Sequence, residues 1–395
     1  MNVFQKHTLL ACTLLVGMCG FSSVNALDFA DLDGESKLIT VGDPMNPKYA
    51  NAGRNLRNGV GSLYILFEVI TEGGFICTAA AISPIHVLTA AHCVTEADFT
   101  VSRIRFILNA GLPEPMILDA AGFAVHPWYP VFLGFGFGAF AHGDIAVLEL
   151  EQPLPEEIEF YELYRDEDEF NQKARHYGHG GSGKGNKGRT GGTDFFFART
   201  GLNRYEQVLE PFLGTGIPDQ LLYDFDSGGS RHNAMAWWFS SQFRCAPEHD
   251  QTPPQAQDGQ CTTFKDGKYP DFKGFRKFEI GLAGGDSGGP AFIDDKIAGV
   301  HSFGFTHRCT GVTNGTDFTC GLDSSFGEMN GDTRVSYHAD FIDAVMGGAY
   351  PVTPIGAPAV AAVAESNSAA ANVLTPNGAF FINGVYSNTM RARVE

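Results

Sequence analysis

Short runs of apolar and β-branched residues, separated by turn residues, dominate the chain from Val60 onwards. In one run Arg103 and Arg105 alternate with apolar neighbours, the period-two pattern of a strand with one buried face. The runs predict strands over residues 63–70, 75–82, 86–89, 101–108, 144–150 and 291–300. Many short strands joined by turns indicate an all-β barrel or sandwich.

One stretch near the end of this region has helical spacing instead. Apolar residues recur over 341–346, with Ser336 as a possible cap and Gly347 as a stop. Residues 349–395 begin with a segment rich in Ala, Pro, Val and Ser, which we interpret as a linker followed by a C-terminal tail.

The N-terminus has the features of a secretory signal peptide. Lys6 and His7 precede an apolar run over residues 9–20, and the chain then reaches small residues ending at Ala26. We expect cleavage after Ala26 and a secreted protein, extracellular or periplasmic; acylation at Cys12 or Cys19 is a weaker alternative. The apolar run is too short to span a bilayer, so no integral membrane span is expected in the mature chain. Residues 27–58 are polar and suit a propeptide or N-terminal arm.

Charge and cysteine content narrow the class of protein. With 27 Lys and Arg against 45 Asp and Glu, the net charge of −18 argues against nucleic acid as a partner. Six of the eight cysteines lie beyond the signal peptide, and an even number in an exported chain predicts three disulfides. These six are Cys77, Cys93, Cys245, Cys261, Cys309 and Cys320. Since no CxxC pair is present, we expect neither structural zinc nor another cofactor. The acidic run 166–169 predicts a solvated turn, with weak Ca²⁺ binding as an alternative.

A glycine-rich decapeptide, residues 281–290, places Ser287 between Asp286 and Gly288. Small residues around a serine suit a sharp turn that presents a hydroxyl and backbone N–H groups, as a nucleophile with an oxyanion hole requires. A plain surface turn is the alternative. Such a nucleophile needs a base and a carboxylate to orient that base. His92, in Leu-Thr-Ala-Ala-His-Cys, and Asp144, in Gly-Asp-Ile-Ala-Val-Leu, are the candidates.

The three segments resemble the signatures of the chymotrypsin/trypsin-like serine proteases, in that family's order of His, Asp and Ser. The resemblance implies two six-stranded antiparallel β-barrels of chymotrypsin-like type with a short C-terminal helix. The protease domain would span residues 59–348, with a large insertion at about 185–275 in the second barrel. It implies that Ser287 attacks the substrate, His92 transfers the proton and Asp144 orients His92. The N–H groups of Gly285 and Ser287 would bind the oxyanion.

Further residues match the family pattern. The resemblance implies a Cys77–Cys93 disulfide, a second barrel that opens at residues 178–180, and a substrate-pairing strand at Ser302, Phe303 and Gly304. Asp286 stands where the family has the carboxylate that pairs with a newly freed N-terminus. We expect the other cysteines to close local loops, Cys245 with Cys261 and Cys309 with Cys320.

Two departures bear on the chemistry. Ser227 lies in a second Asp-Ser-Gly-Gly and is a rival nucleophile, but it lacks the following proline and the Ser-aromatic-Gly strand. In the predicted substrate pocket, Gly281, beside Leu282, occupies the position of the carboxylate that selects Arg or Lys. We therefore expect small or apolar residues before the cleaved bond. His301 matches a histidine of Glu-specific relatives, so an acidic preference is the alternative.

The sequence therefore predicts a secreted serine endopeptidase, a monomeric bacterial member of the family, that acts on proteins or peptides. Activation would follow cleavage after Lys37, with cuts after Arg54 or Arg57 as rivals. A non-catalytic binding protein on the same fold and an esterase-type hydrolase are the alternative functions. Reaction with a phosphonylating probe distinguishes the endopeptidase from the binding protein. The relative turnover of peptides and esters distinguishes it from the esterase.

Overall fold

The computed structural model describes residues 39–40, 49, 57–68, 74–95, 100–109, 115–129, 131–134, 139–190, 198–209, 217–236, 273–306 and 316–357. For residues 39, 131–134 and 139–141 it describes the backbone alone. The predicted signal peptide, the tail beyond 357, and Cys245, Cys261 and Cys309 lie outside these ranges. None of the helices in the described ranges is both long and apolar enough to cross a membrane.

Strands make up most of the regular structure. In chain order they are β1 Ile39–Thr40, β2 Val60–Phe67, β3 Phe75–Ala81, β4 His86–Thr89, β5 Val101–Leu108, β6 Met116–Val125, β7 Val131–Gly134, β8 Ala139–His142, β9 Ala146–Leu150, β10 Lys173–Gly178, β11 Gly183–Lys184, β12 Gly188–Arg189, β13 Arg199–Arg204, β14 Gln207–Val208, β15 Gln220–Asp224, β16 Ile280–Gly281, β17 Pro290–Ile293, β18 Lys296–Phe305, β19 Met329–Arg334 and β20 Thr353–Pro354. The α-helices that lie wholly within the described residues are α1 Ala91–Val94 and α2 Val335–Met346.

The first barrel is a closed antiparallel sheet of six strands. Its order is β5, β2, β3, β4, β9 and β6, and a pairing between β6 and β5 completes the ring. Alternate residues point inward: Ile104 and Phe106 are fully buried, whereas Arg103 and Arg105 lie outside near Asp119. The period-two prediction for this strand is confirmed, and burial of such apolar faces is the main stabilising term of the barrel.

The second half of the fold is a curled sheet of seven strands, in the order β13, β10, β17, β18, β19, β15 and β14. The prediction of a chymotrypsin-like all-β fold is confirmed, and the described strands of its second half form a curled half-barrel. The strand β16 pairs with β1 in a separate four-stranded sheet, and a bridge between Leu202 and Glu279 links the start of β16 to the curled sheet.

Part of the predicted insertion at about 185–275 has regular structure. The strands β12, β13, β14 and β15 lie within it, and three of them belong to the curled sheet. The bounds of the insertion stay a prediction.

The C-terminal helix α2 packs its apolar face into the core of the first barrel through Val335, Phe341 and Ile342. It ends at Gly347, as predicted, where the Gly347 N–H donates to the Asp343 carbonyl oxygen over 2.8 Å. Ser336 does not cap it, since its hydroxyl donates to Glu169 at 2.5 Å. Beyond the helix, β20 pairs with β6, so residues 353–354 pack on the first barrel where the sequence predicts a linker.

Candidate active site

His92 and Asp144 meet at one end of the first barrel. His92 lies in the short helix α1 directly after β4, and Asp144 lies in the turn before β9, the neighbour of β4. The Asp144 carboxylate accepts from the His92 backbone N–H at 2.9 Å and lies 2.7 Å from the ring Nδ1. Both side chains are about 95% buried. The sequence predicted this pair, and the contact to Nδ1 leaves Nε2 as the ring position for proton transfer.

Asp144 is also held by residues of the curled sheet. The Ser302 hydroxyl donates to the Asp144 carboxylate, and the Thr333 hydroxyl donates to the Asp144 backbone carbonyl at 2.9 Å. The sequence assigned Ser302 to the substrate pocket, and its contact with Asp144 gives it a second role. These contacts fix the carboxylate against the imidazole from the side opposite the first barrel.

The turn that carries Ser287 packs directly on the segment that carries His92. The Ser287 carbonyl oxygen accepts from the Thr78 N–H at 2.8 Å and lies 3.6 Å from Cys93 Sγ. A side chain at Gly288 would contact Thr89 at 2.1 Å, so only glycine fits, and its φ of +79° is accessible to glycine. The predicted Cys77–Cys93 disulfide is formed and lies beside this contact. The Ser287 turn therefore packs on the segment of Cys93, the residue after His92.

The rival nucleophile has a different environment. Ser227 is exposed, after the last residues of β15. Among the described residues, Ser227 makes no hydrogen bond to His92 or Asp144. Its neighbour Asp226 is buried in a separate acidic group.

Backbone geometry orients the two predicted oxyanion donors. The Gly284 carbonyl accepts from the Gly181 N–H at 2.9 Å, and the Asp286 carbonyl accepts from the Gly289 N–H at 2.8 Å. Because a trans peptide directs its N–H away from its carbonyl, the N–H groups of Gly285 and Ser287 point away from these partners. A φ of +101° at Gly285 again requires glycine. The N–H groups of Gly285 and Ser287 therefore point away from the backbone hydrogen bonds that hold the turn in place.

Asp286 is completely buried behind this turn. Its carboxylate accepts from the Gly180 N–H at 2.7 Å and the Ala283 N–H at 2.8 Å. A side chain at Gly178 would approach it within 2.1 Å, which explains the glycines at the end of β10. Burial raises the pKa of Asp286 from 3.8 to about 7, although the two donors act in the opposite direction. A buried carboxylate of this kind is stabilised by a positive partner.

The base of the predicted substrate pocket is apolar. An added Cβ at Gly281 would meet the Phe225 ring at 2.9 Å, and Phe225 packs with Ala283 and Phe326. Leu282 and Phe303 are also buried, and Gly304 is half-buried on the same strand as Ser302.

His301 belongs to a buried polar cluster that the sequence did not predict. Its Nδ1 lies 2.9 Å from Asp332, which also accepts from the hydroxyls of Tyr205 at 2.6 Å and Tyr223 at 3.0 Å. His176 stacks on the His301 ring with centroids 5.2 Å apart. Burial alone would raise the pKa of Asp332, but His301 and the donors outweigh it and lower that pKa. The negative charge of Asp332 is therefore compensated within the cluster.

A second such cluster supports the turn before Asp144. Asp219 accepts from the Gly143 N–H at 2.8 Å and lies 2.5 Å from His142 Nδ1 and 3.2 Å from His338 Nε2. All three side chains are buried. Nothing local in the sequence signals that Asp219 packs between His142 and His338.

Besides the cluster of His176, His301 and Asp332, three described groups of side chains bring potential metal-ligand atoms within 4.8 Å of one another. Cys77, His92 and Cys93 form one, but the two cysteines are joined in a disulfide and are not metal ligands. The other two are acidic, Asp317 with Asp323 and Glu328, and Glu206 with Asp224 and Asp226. Residues 166–168 of the acidic run 166–169 are exposed, as predicted, whereas Glu169 is buried and lies 2.6 Å from Arg334.

Comparison with known proteins agrees with this geometry. A closed barrel joined to a curled half-barrel, with few helices, is a chymotrypsin-like fold. The family model described as Trypsin matches residues 59–194, which include His92 and Asp144 and end before Ser287. No curated protein matches the chain. The match over residues 59–194 supports a relationship to the chymotrypsin/trypsin-like serine protease family.

Proposed function

We propose that the protein is a serine endopeptidase that hydrolyses peptide bonds through an acyl-enzyme, with Ser287, His92 and Asp144 as its catalytic residues. One observation carries the proposal: the turn of Ser287 packs against the segment of His92, whose ring nitrogen is held at 2.7 Å by Asp144. Ser287 attacks the scissile carbonyl, His92 takes the hydroxyl proton and returns it to the leaving amine, and Asp144 stabilises the imidazolium. The N–H groups of Gly285 and Ser287 receive the developing oxyanion.

Two serine variants test this assignment. Ser287→Ala is expected to lower peptide hydrolysis by about 10⁶-fold and to abolish labelling by a fluorophosphonate probe, because the nucleophile is removed. Ser227→Ala is the matched control, since it alters the same Asp-Ser-Gly-Gly pattern at an exposed site and should leave both readouts unchanged. If Ser287→Ala keeps its activity, the assignment is wrong. Absence of labelling in the parent protein indicates the binding-protein alternative, and turnover of esters without peptides indicates the esterase.

The pocket supports a preference for small or apolar residues before the cleaved bond. Phe225 fills the space beside Gly281, and the charge of Asp332 is compensated by His301 and two tyrosines. Cleavage of a peptide library by the parent and by Phe225→Ala tests this proposal. The parent should cut after small or apolar residues, and the variant should accept larger ones. Cleavage after Arg or Lys contradicts the proposal, and cleavage after Glu points to His301 as the specificity residue.

We further propose that the enzyme is exported as a zymogen and activated by cleavage after Lys37. Ile39 and Thr40 of β1 already pair with Gly281 and Ile280 of β16, next to the buried Asp286. A new ammonium group at Leu38 would supply a positive partner for that carboxylate. The rival site at Arg57 is less suited, because its guanidinium lies 4.6 Å from the Phe292 ring and pairs with Asp295. N-terminal sequencing of active secreted protein should begin at Leu38, and activity in a chain that still begins at Leu27 contradicts activation by processing.

A further inference from the structure

Four carboxylates are buried together behind the strand that leads to the nucleophile turn. Glu206 follows β13, Asp224 ends β15, Asp226 lies just beyond it, and Glu279 precedes β16. Each is at most 1% exposed. Oxygen atoms of the first three lie within 4.8 Å of one another.

The polar groups around the cluster leave much of it without donors. Asp224 accepts from the Met235 N–H at 2.7 Å and from the Ala234 N–H, and Glu279 accepts from the N–H groups of Phe275 and Asp226. Both Glu206 oxygens, one Asp224 oxygen and one Glu279 oxygen have no N–H or hydroxyl donor among the described residues, and the side chain close to Glu206 is the Asp224 carboxyl group. Asn203 does not supply the missing donors, because its amide donates to the backbone carbonyls of Asp224 and Ile280. Glu206 is thus a buried carboxylate directed at two others.

Charge balance favours a bound cation over a set of bare carboxylates. Arg204 attracts Glu279, but its guanidinium donates to Asn171 at 3.0 Å and lies over the Phe275 ring. Ionised carboxylates at such depth are strongly destabilising unless they coordinate a cation or are protonated.

We propose that Glu206, Asp224, Asp226 and Glu279 form a Ca²⁺ site. Carboxylate oxygens are hard ligands, and Ca²⁺ accepts six to eight oxygens in flexible geometry, which suits donors drawn from separate segments. Mg²⁺ requires near-octahedral geometry and retains several water molecules, so it fits a fully buried set of carboxylates less well. The other acidic group, Asp317 with Asp323 and Glu328, carries no such inference, because local hydroxyl and N–H groups donate to all three carboxylates.

A cation at this position would tie the chain after β15 to the strand before the nucleophile turn. Glu279 directly precedes Ile280 and Gly281, and Phe225 lies between two of the ligands and packs against Gly281. Calcium would therefore stabilise the pocket wall and the β1 pairing together. The binding itself does not depend on the proposed protease activity.

Thermal unfolding and calcium titration of the full chain carrying Ser287→Ala test the site, because that background cannot digest itself. After treatment with EDTA, millimolar CaCl₂ is expected to raise the melting temperature by roughly 5 °C. Calorimetry with CaCl₂ should show one strong site, and MgCl₂ should give a smaller shift. No calcium-dependent shift and no binding heat would overturn the proposal, whatever the outcome for Ser287 in the activity assay.

Variants locate the site and separate it from a metal-free acidic cluster. Glu206→Gln and Asp226→Asn should abolish the calcium shift, whereas Glu156→Gln, at an exposed carboxylate, should keep it. In EDTA, Glu206→Gln should have a higher melting temperature than its parent, because it removes repulsion between carboxylates. In CaCl₂ its melting temperature should be lower than that of the parent. A calcium shift that survives both cluster variants would place the ion elsewhere and contradict the proposal.

Discussion

The two halves of the fold are stabilised by different means. The first barrel is closed around apolar side chains, and Asp144 is the buried carboxylate among its described residues. The curled sheet and its flanking turns bury many more acidic groups, including Asp219, Asp286 and Asp332 and the four carboxylates of the calcium proposal. Apolar burial does not depend on pH or ions, whereas buried carboxylates depend on both. The first half is thus a rigid support for His92, and the second half is where stability is open to regulation.

The largest expected effect lies where the two halves meet, at Asp144. Asp144→Asn is expected to lower kcat by about 10⁴-fold, since the amide stabilises the wrong histidine tautomer and cannot stabilise the imidazolium. Ser302→Ala, which removes one donor to the same carboxylate, should cost roughly tenfold to a hundredfold. Steady-state hydrolysis of a peptide substrate measures both variants. A raised KM with unchanged kcat in Ser302→Ala would show that Ser302 acts on substrate and not through Asp144.

How far the sequence predicted the site follows from how local each signal is. His92, Asp144 and Ser287 each lie in a short distinctive segment, so they could be chosen as candidates from the sequence alone. The period-two burial of β5 could also be predicted. The clusters around Asp219, Asp332 and Glu206 could not be predicted, because long-range strand pairing brings their members together. Glu169 shows the difficulty: its partner Arg334 is 165 positions away, and its acidic neighbours suggested a solvated turn. The pairing of β1 with β16 has no local signal either.

A cavity in the first barrel should have the next largest effect and tests its apolar character. Phe106 is fully buried in that core, so Phe106→Ala should lower the free energy of unfolding by about 3–5 kcal/mol. Because no titratable group is involved, the loss should be the same at about pH 5 and about pH 8. Urea unfolding in the Ser287→Ala background measures it. A loss that changes with pH would contradict the division between the two halves.

In the second half, Asp286 should instead make stability depend on pH. Its pKa is about 7 when folded and near 3.8 otherwise, so between these values the folded uncleaved chain holds a proton that the unfolded chain has lost. The free energy of unfolding therefore falls as pH rises through that window, and this contribution is constant above it. Asp286→Asn cannot titrate and should show a shallower decrease between about pH 4 and about pH 7. The comparison uses urea unfolding of unprocessed chains, and parallel curves for the two chains would contradict the prediction.

The smallest expected effect is at the surface, where charge should matter least. Arg165 makes two hydrogen bonds of 2.8 Å to Asp343 of α2, yet both side chains are about half exposed. Water and salt screen such a pair, so Asp343→Asn should change the free energy of unfolding by less than about 1 kcal/mol. The buried pair of Glu169 with Arg334 is the sharper comparison, because Glu169→Gln leaves Arg334 without its charged partner and should cost about 3–5 kcal/mol. Urea unfolding at low and high salt measures both, and only the surface pair should respond to salt. Equal losses in the free energy of unfolding for Asp343→Asn and Glu169→Gln would contradict the prediction that buried charges matter more than surface charges.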